Sequence, residues 1–141
     1  MIENDGDEIE FNFLQFHFHS PSEHTIDGEY YDAEVHFVHQ NPKNPEDLMV
    51  RGVLLDTDSG RWKASKSFFE DFKFDKWGED WEDEQNSDEL KVNVKKFFNQ
   101  MEDKTFYNYE GSLTNPPCSE GVRWFLMREV QYIDPDHLSY L

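Results

Sequence analysis

Gln15-Phe16-His17-Phe18-His19 and, one turn-rich stretch later, Ala33-Glu34-Val35-His36-Phe37-Val38-His39 are the residues that decide the fold. Both alternate side-chain character with a period of two, the period of a strand. Between them SPSEHTIDGEYY, residues 20–31, supplies Pro, Ser, Asp and Gly, so strands are expected over 8–19 and 33–40 with a turn-bearing connection. Residues two apart in a strand share a face, with alpha carbons roughly 6.5 to 7 Å apart. His17 and His19 therefore point the same way. In the second strand Glu34, His36 and Val38 share one face, and Val35, Phe37 and His39 share the other. One histidine of that strand can join the first pair, and three converging imidazoles leave a fourth tetrahedral position open on a metal ion. Gln15 and Glu34 each stand two residues before a histidine on its own face, where they can hold the second ring nitrogen.

Working outward, Asp47 to Asp56 reads as a third strand, bounded by QNPKNPED and DTDSG, and three neighbouring strands predict an antiparallel sheet. The stretch FYNYEGSLTNPPCSEGVRWFLMREV, residues 106–130, reads as a strand, a Pro-rich turn and a further strand ending near Val130. Leu90, Val94, Phe97, Phe98 and Met101 lie on one helical stripe, predicting a helix over 87–101 with Ser87 or Asp88 as N-cap. Phe68, Phe69 and Phe72 have helical spacing in a stretch, Lys63 to Trp81, that otherwise mixes Phe with charge. The acidic run from Glu79 to Glu89 contains no base and reads as a solvated surface segment.

With 141 residues the chain fits one domain, 1–141. Its 13 Phe bring large burial per residue and favour a folded core. Acids outnumber bases 31 to 13, and a formal charge of −18 argues against nucleic acid and anionic lipid surfaces as partners. No apolar run is long enough for a transmembrane segment. No signal peptide is visible in MIENDGDEIEF, so an export signal, if any, is expected upstream. Cys118 is the single cysteine, which excludes an internal disulfide and a cysteine-based zinc site.

In order along the chain, QFHFH, SEHTIDG, AEVHFVH, YEGSLTNPPC and VRW resemble the alpha carbonic anhydrases, from about Gln15 to Trp124. The resemblance implies a mainly β (α+β) fold, a large antiparallel twisted sheet with peripheral helices. Relative to that domain the chain reads as incomplete at both ends, and 61–103 matches poorly. It further implies that His17, His19 and His36 bind Zn2+, with Gln15 and Glu34 as their hydrogen-bonding partners and Tyr109 supporting the site. Thr114 and Glu23 would orient a zinc-bound hydroxide for attack on carbon dioxide, yielding bicarbonate and a proton. Val38, Val50, Leu113, Val122 and Trp124 would form the apolar pocket for carbon dioxide. Asn115 stands where many members have a second threonine, a change expected to alter anion affinity. His24 resembles a buried structural histidine of the family, and His39 and His137 have no assigned part. The family's proton-shuttle histidine has no counterpart here. Cys118 resembles the cysteine that secreted members bond to one near their N-terminus, which implies an exported protein. Two other readings share these residues: a catalytically silent binding module, and a structural subunit with a protein partner.

Overall fold

The computed structural model describes residues 2–4, 7–57, 92–139 and 141. The Lys63 to Trp81 stretch, the acidic run 79–89 and the start of the 87–101 helix, with Ser87, Asp88 and Leu90, lie outside these residues.

Short strands β1 (Ile2–Asn4) and β2 (Asp7–Ile9) pair with each other. The chain then enters β3 (Asn12–His19), crosses the small hairpin β4 (Thr25–Ile26) and β5 (Glu29–Tyr30), and returns through β6 (Ala33–Asn41) and β7 (Asn44–Asp56). The hairpin turns at Asp27 and Gly28, both at positive φ, 53° and 84°. Asp-Gly is the dipeptide that adopts this turn most readily. Later come helix α1 (Val94–Gln100), β8 (Phe106–Ser112), β9 (Glu120–Met127), β10 (Gln131–Tyr132) and helix α2 (Pro135–Leu138). The Ser20-Pro21 and Pro116-Pro117 peptides are cis.

The main sheet has the order β3-β6-β7-β9-β8, with β10 also paired to β7. The expected mainly β architecture holds, but the sheet is mixed rather than wholly antiparallel. Neighbours joined by short connections, β3/β6 and β6/β7, are antiparallel, as is β8/β9; β9 and β10 run parallel to β7. Parallel pairing needs a long crossover. The stretch from Asp56 to Glu120 provides that length for β7 and β9.

A bulge fixes which side chains face the site. Phe13 lies opposite His39, but Gln15 lies opposite Val38, so Leu14 is an extra residue in β3. Because a one-residue slip inverts a strand's faces, the bulge places His17 opposite His36 instead of opposite Val35. Leu14 itself is 55% exposed.

β6 is covered on both faces. Below it Ala33, Val35 and Phe37 join Val53, Leu55, Phe97, Met101, Met127 and Ile133 in the main core. Helix α1 lays Phe97 and Phe98 against Phe37, with ring centroids 5.1 and 5.0 Å away, which is the burial its apolar stripe predicts. The N-cap is Asn93, whose side chain accepts from the Lys96 amide at 2.9 Å, so the helix proper starts at Val94. The opposite face of the sheet carries a smaller cluster of Val38, Val50, Val122 and Trp124, with Leu48 and Leu113 packed on it.

Candidate metal centre

On that second face the rings of His17, His19 and His36 stand 4.6 to 5.2 Å apart, centroid to centroid. One ring nitrogen from each lies within 4.8 Å of the others. Tetrahedral zinc with nitrogen ligands at 2.0–2.1 Å would need separations of about 3.3 Å. Binding would therefore draw the three nitrogens closer together. His36 is buried, whereas His17 and His19 are partly open, so the cluster has an approach from solvent.

The tautomers follow from partners that can only accept. A Glu34 oxygen, Oε1, receives His36 Nε2–H at 2.9 Å, so His36 keeps its lone pair on Nδ1. Gln15 Oε1, at 2.9 Å, receives His17 Nδ1–H, which leaves the lone pair on Nε2. His19 Nε2 is buried and makes no hydrogen bond, although the Glu23 carboxylate stands 3.4 Å away. A buried, unpartnered nitrogen is costly unless something fills its lone pair. A cation held by His17, His19 and His36 would do so, and the donor set suits zinc.

Charge reinforces this state. Burial, then repulsion from His36 and His19, lowers the His17 pKa from 6.5 to about 4, with Glu23 opposing. Burial and His36 lower His19 as well, against Glu23 and Glu34. Both rings are therefore neutral at pH 7 and ready to ligate.

Glu34 is the hub beneath the histidines. Its side chain is wholly buried, and Oε1 also accepts from His24 Nδ1 at 2.6 Å. Oε2 accepts from the backbone amides of Glu23 and His24 at 3.0 and 2.9 Å. Burial pushes the Glu34 carboxyl up, but hydrogen bonds from His24 and His36 outweigh it and hold the group well below the usual carboxylate range. With Nδ1–H committed to Glu34, His24 Nε2 accepts from the Tyr109 hydroxyl at 2.6 Å. Burial, reinforced by Glu34 and Glu23, pushes that hydroxyl up to about 12, so it stays a donor. Tyr109 stacks on Trp124 with ring centroids 6.1 Å apart, and Trp124 packs edge-to-face with His36, centroids 4.9 Å apart. The second close cluster, His24, Glu34 and His36, is thus a hydrogen-bonded network whose facing atoms already satisfy one another.

Of the residues singled out from sequence, the structure gathers the three histidines, Gln15, Glu34 and Tyr109 into one network. It also packs Val38, Val50, Val122, Trp124 and Leu113 into one apolar patch beside them. Thr114 and Asn115 lie exposed on the loop after β8. Glu23 turns its carboxylate toward His19 Nε2, at 3.4 Å, and His36 Nδ1, at 3.9 Å; among the described residues no hydrogen bond joins it to Thr114. His39 lies on the opposite face, donating to the Phe37 carbonyl at 2.9 Å with Phe13 edge-on to its ring. Cys118 is an exposed free thiol at positive φ. Sequence reasoning missed the bridging task of His24, which depends on the turn at 20–31 folding back over β6.

The mixed sheet thus presents an open cluster of three histidines, two from an edge strand and one from its neighbour, spaced so that they could hold a metal ion. Comparison with known proteins gives the family. Residues 2–141 match the family model of the eukaryotic-type carbonic anhydrases, and the chain belongs to that family. It is 36% identical to a carbonic anhydrase of Nostoc sp. over 83% of this chain and 40% of that protein. It is 33% identical to dioscorin dioA3 of Dioscorea japonica over 94% of this chain and 46% of that protein. The solved complex of Thermovibrio ammonificans alpha-carbonic anhydrase with sulfanilamide superposes with a TM-score of 0.71 at 32% identity, covering 98% of this chain and 55% of that one. The chain thus spans about half the length of these relatives.

Proposed function

We propose that this chain forms the zinc-binding core of a carbonic anhydrase, catalysing the reversible hydration of carbon dioxide to bicarbonate and a proton. The observation that carries the proposal is the convergence of one ring nitrogen each from His17, His19 and His36, with His19 Nε2 buried and without a hydrogen bond, beside an apolar patch. When bound there, zinc lowers the pKa of water to about 7 and so supplies a nucleophile at neutral pH, carbonic anhydrase being the standard instance of that effect. Gln15 and Glu34 hold two of the ligating rings in their working tautomers, and His24 and Tyr109 brace Glu34. Val38, Val50, Leu113, Val122 and Trp124 offer an apolar surface on which carbon dioxide is held without competing hydrogen bonds. In this reading Thr114 Oγ1 accepts a hydrogen bond from the nucleophile and donates its own proton to a Glu23 carboxylate oxygen, which aims the attack.

Metal analysis and stopped-flow hydration test the proposal together. Chelator-free protein should contain one zinc per chain and hydrate carbon dioxide; His36→Ala should lose both, and His39→Ala neither. Absence of metal, or equal loss in both variants, rejects it. That no hydrogen bond joins Glu23 to Thr114 among the described residues, the Glu23 carboxylate facing His19 and His36, favours a second reading, a catalytically impaired module that binds metal. Stoichiometric zinc without hydration would select that reading. If the enzyme reading holds, Thr114→Ala should keep its zinc and lose about 10² to 10³ in rate.

A further inference from the structure

We propose that Gly52 is a positioning residue of the metal centre: its missing side chain leaves the space in which the Glu34 carboxylate grips His24 and His36 at once. The proposal rests on the reading of His17, His19 and His36 as metal ligands, and it concerns a residue that makes no contact with the metal itself.

Gly52 sits in the middle of β7, directly opposite His36 on one side and Leu126 of β9 on the other. Glycine in a strand interior costs stability, since it contributes no packing and loses the most backbone freedom. Its φ is not in the left-handed region, so backbone conformation does not demand it there. What demands it is space. An ideal Cβ at this position would stand 2.8 Å from Glu34 Oε1 and 3.0 Å from Leu126 Cδ1.

A clash with the far end of a glutamate is ordinarily relieved by a small rotation. Here rotation has a chemical cost, because Oε1 is the atom that receives both His36 Nε2–H and His24 Nδ1–H, while Oε2 receives two backbone amides. Moving Oε1 by the few tenths of an ångström that a methyl requires lengthens both imidazole hydrogen bonds. Leu126 Cδ1, 3.0 Å from the same Cβ, is an apolar contact that holds no hydrogen bond, so the constraint lies with Glu34. The carboxylate that fixes the His36 tautomer would be displaced while every ligand remained in place. Loss of such a partner typically lowers metal affinity 10- to 100-fold.

The test uses the full chain, with Zn2+ affinity read by competition against a chromophoric chelator and the His36 Nε2–H proton followed by NMR in metal-free protein. Gly52→Ala should weaken Zn2+ binding about 10- to 100-fold and shift or broaden the low-field ring-proton signal. Glu34→Asp withdraws the carboxylate by one methylene. It should weaken binding in the native background, yet improve binding and sharpen the signal when added to Gly52→Ala. Leu126→Ala should give no such recovery. Native affinity and an unchanged signal in Gly52→Ala would overturn the proposal, as would recovery by Leu126→Ala alone. If Gly52→Ala proves too unstable to measure, recovery of folding by Glu34→Asp but not by Leu126→Ala supports the proposal, and any other pattern overturns it. A native chain that binds no zinc would refute the metal reading alone, since the ring-proton signal still reports whether Gly52 makes room for Glu34.

Discussion

His17 is where chemistry and stability meet at the scale of one residue. Between pH 6.5 and about 4 the unfolded chain binds a proton at this imidazole that the folded, metal-free chain refuses. Stability is therefore fully present above 6.5 and falls as pH drops toward 4. Denaturant unfolding of metal-free protein at pH 7.5 and 4.5 should show the fall, and His17→Gln should flatten it. A second prediction at this scale concerns Tyr109, whose hydroxyl is the proton donor to His24 Nε2. Tyr109→Phe removes this solvent-accessible hydrogen bond, at a cost of about 0.5 to 1.5 kcal/mol. Thermal denaturation would measure it. Sequence spacing made Gln15 and Glu34 legible as partners, since residues two apart in a strand share a face. It could not show that Glu34 serves two imidazoles, because His24 reaches it through tertiary folding of the turn, nor that Gly52 is kept small by the same carboxylate.

For the elements, the bulge in β3 is the feature with most leverage. Leu14 is the extra residue, so its deletion should leave Phe13 opposite His39 and Gln15 opposite Val38, with zinc stoichiometry unchanged. Deleting Phe18 instead should turn His17 away from His19 and abolish stoichiometric zinc; metal analysis of both variants decides the matter. The strand alternation in sequence told which residues pair by face within each strand. It left open which face of β6 meets His17 and His19, and the bulge settles that against His39. Helix α1 was legible from its apolar stripe because Phe97, Phe98 and Met101 do pack on the core. Its start was not, since Ser, Asp and Asn all cap well and only the structure shows Asn93 doing so. Phe97, 2% exposed, is the anchor of this helix, and Phe97→Ala should cost about 3 to 5 kcal/mol in denaturant unfolding.

Across the whole molecule, the antiparallel neighbours were legible because short, turn-rich connections force that direction, whereas the parallel pairing of β7 with β9 left no local mark in the sequence. Ligand linkage offers a global test of the centre. Zinc at 100 times its dissociation constant should stabilise the native chain by about 2.7 kcal/mol, a gain that chelation reverses and that His36→Ala lacks. The same topology has a kinetic consequence. All three proposed ligands fall between His17 and His36, on strands that pair directly, while the Trp124 and Tyr109 wall arrives only when β9 finds β7 across distant pairings such as Val50 with Trp124. Local pairings close sooner than distant ones, because less chain entropy is lost. During refolding, the histidines should therefore capture zinc before Trp124 becomes enclosed, so that, in a chain whose Trp62, Trp77 and Trp81 are replaced by Phe, chelator competition in a stopped-flow mixer reports metal uptake ahead of the change in Trp124 fluorescence.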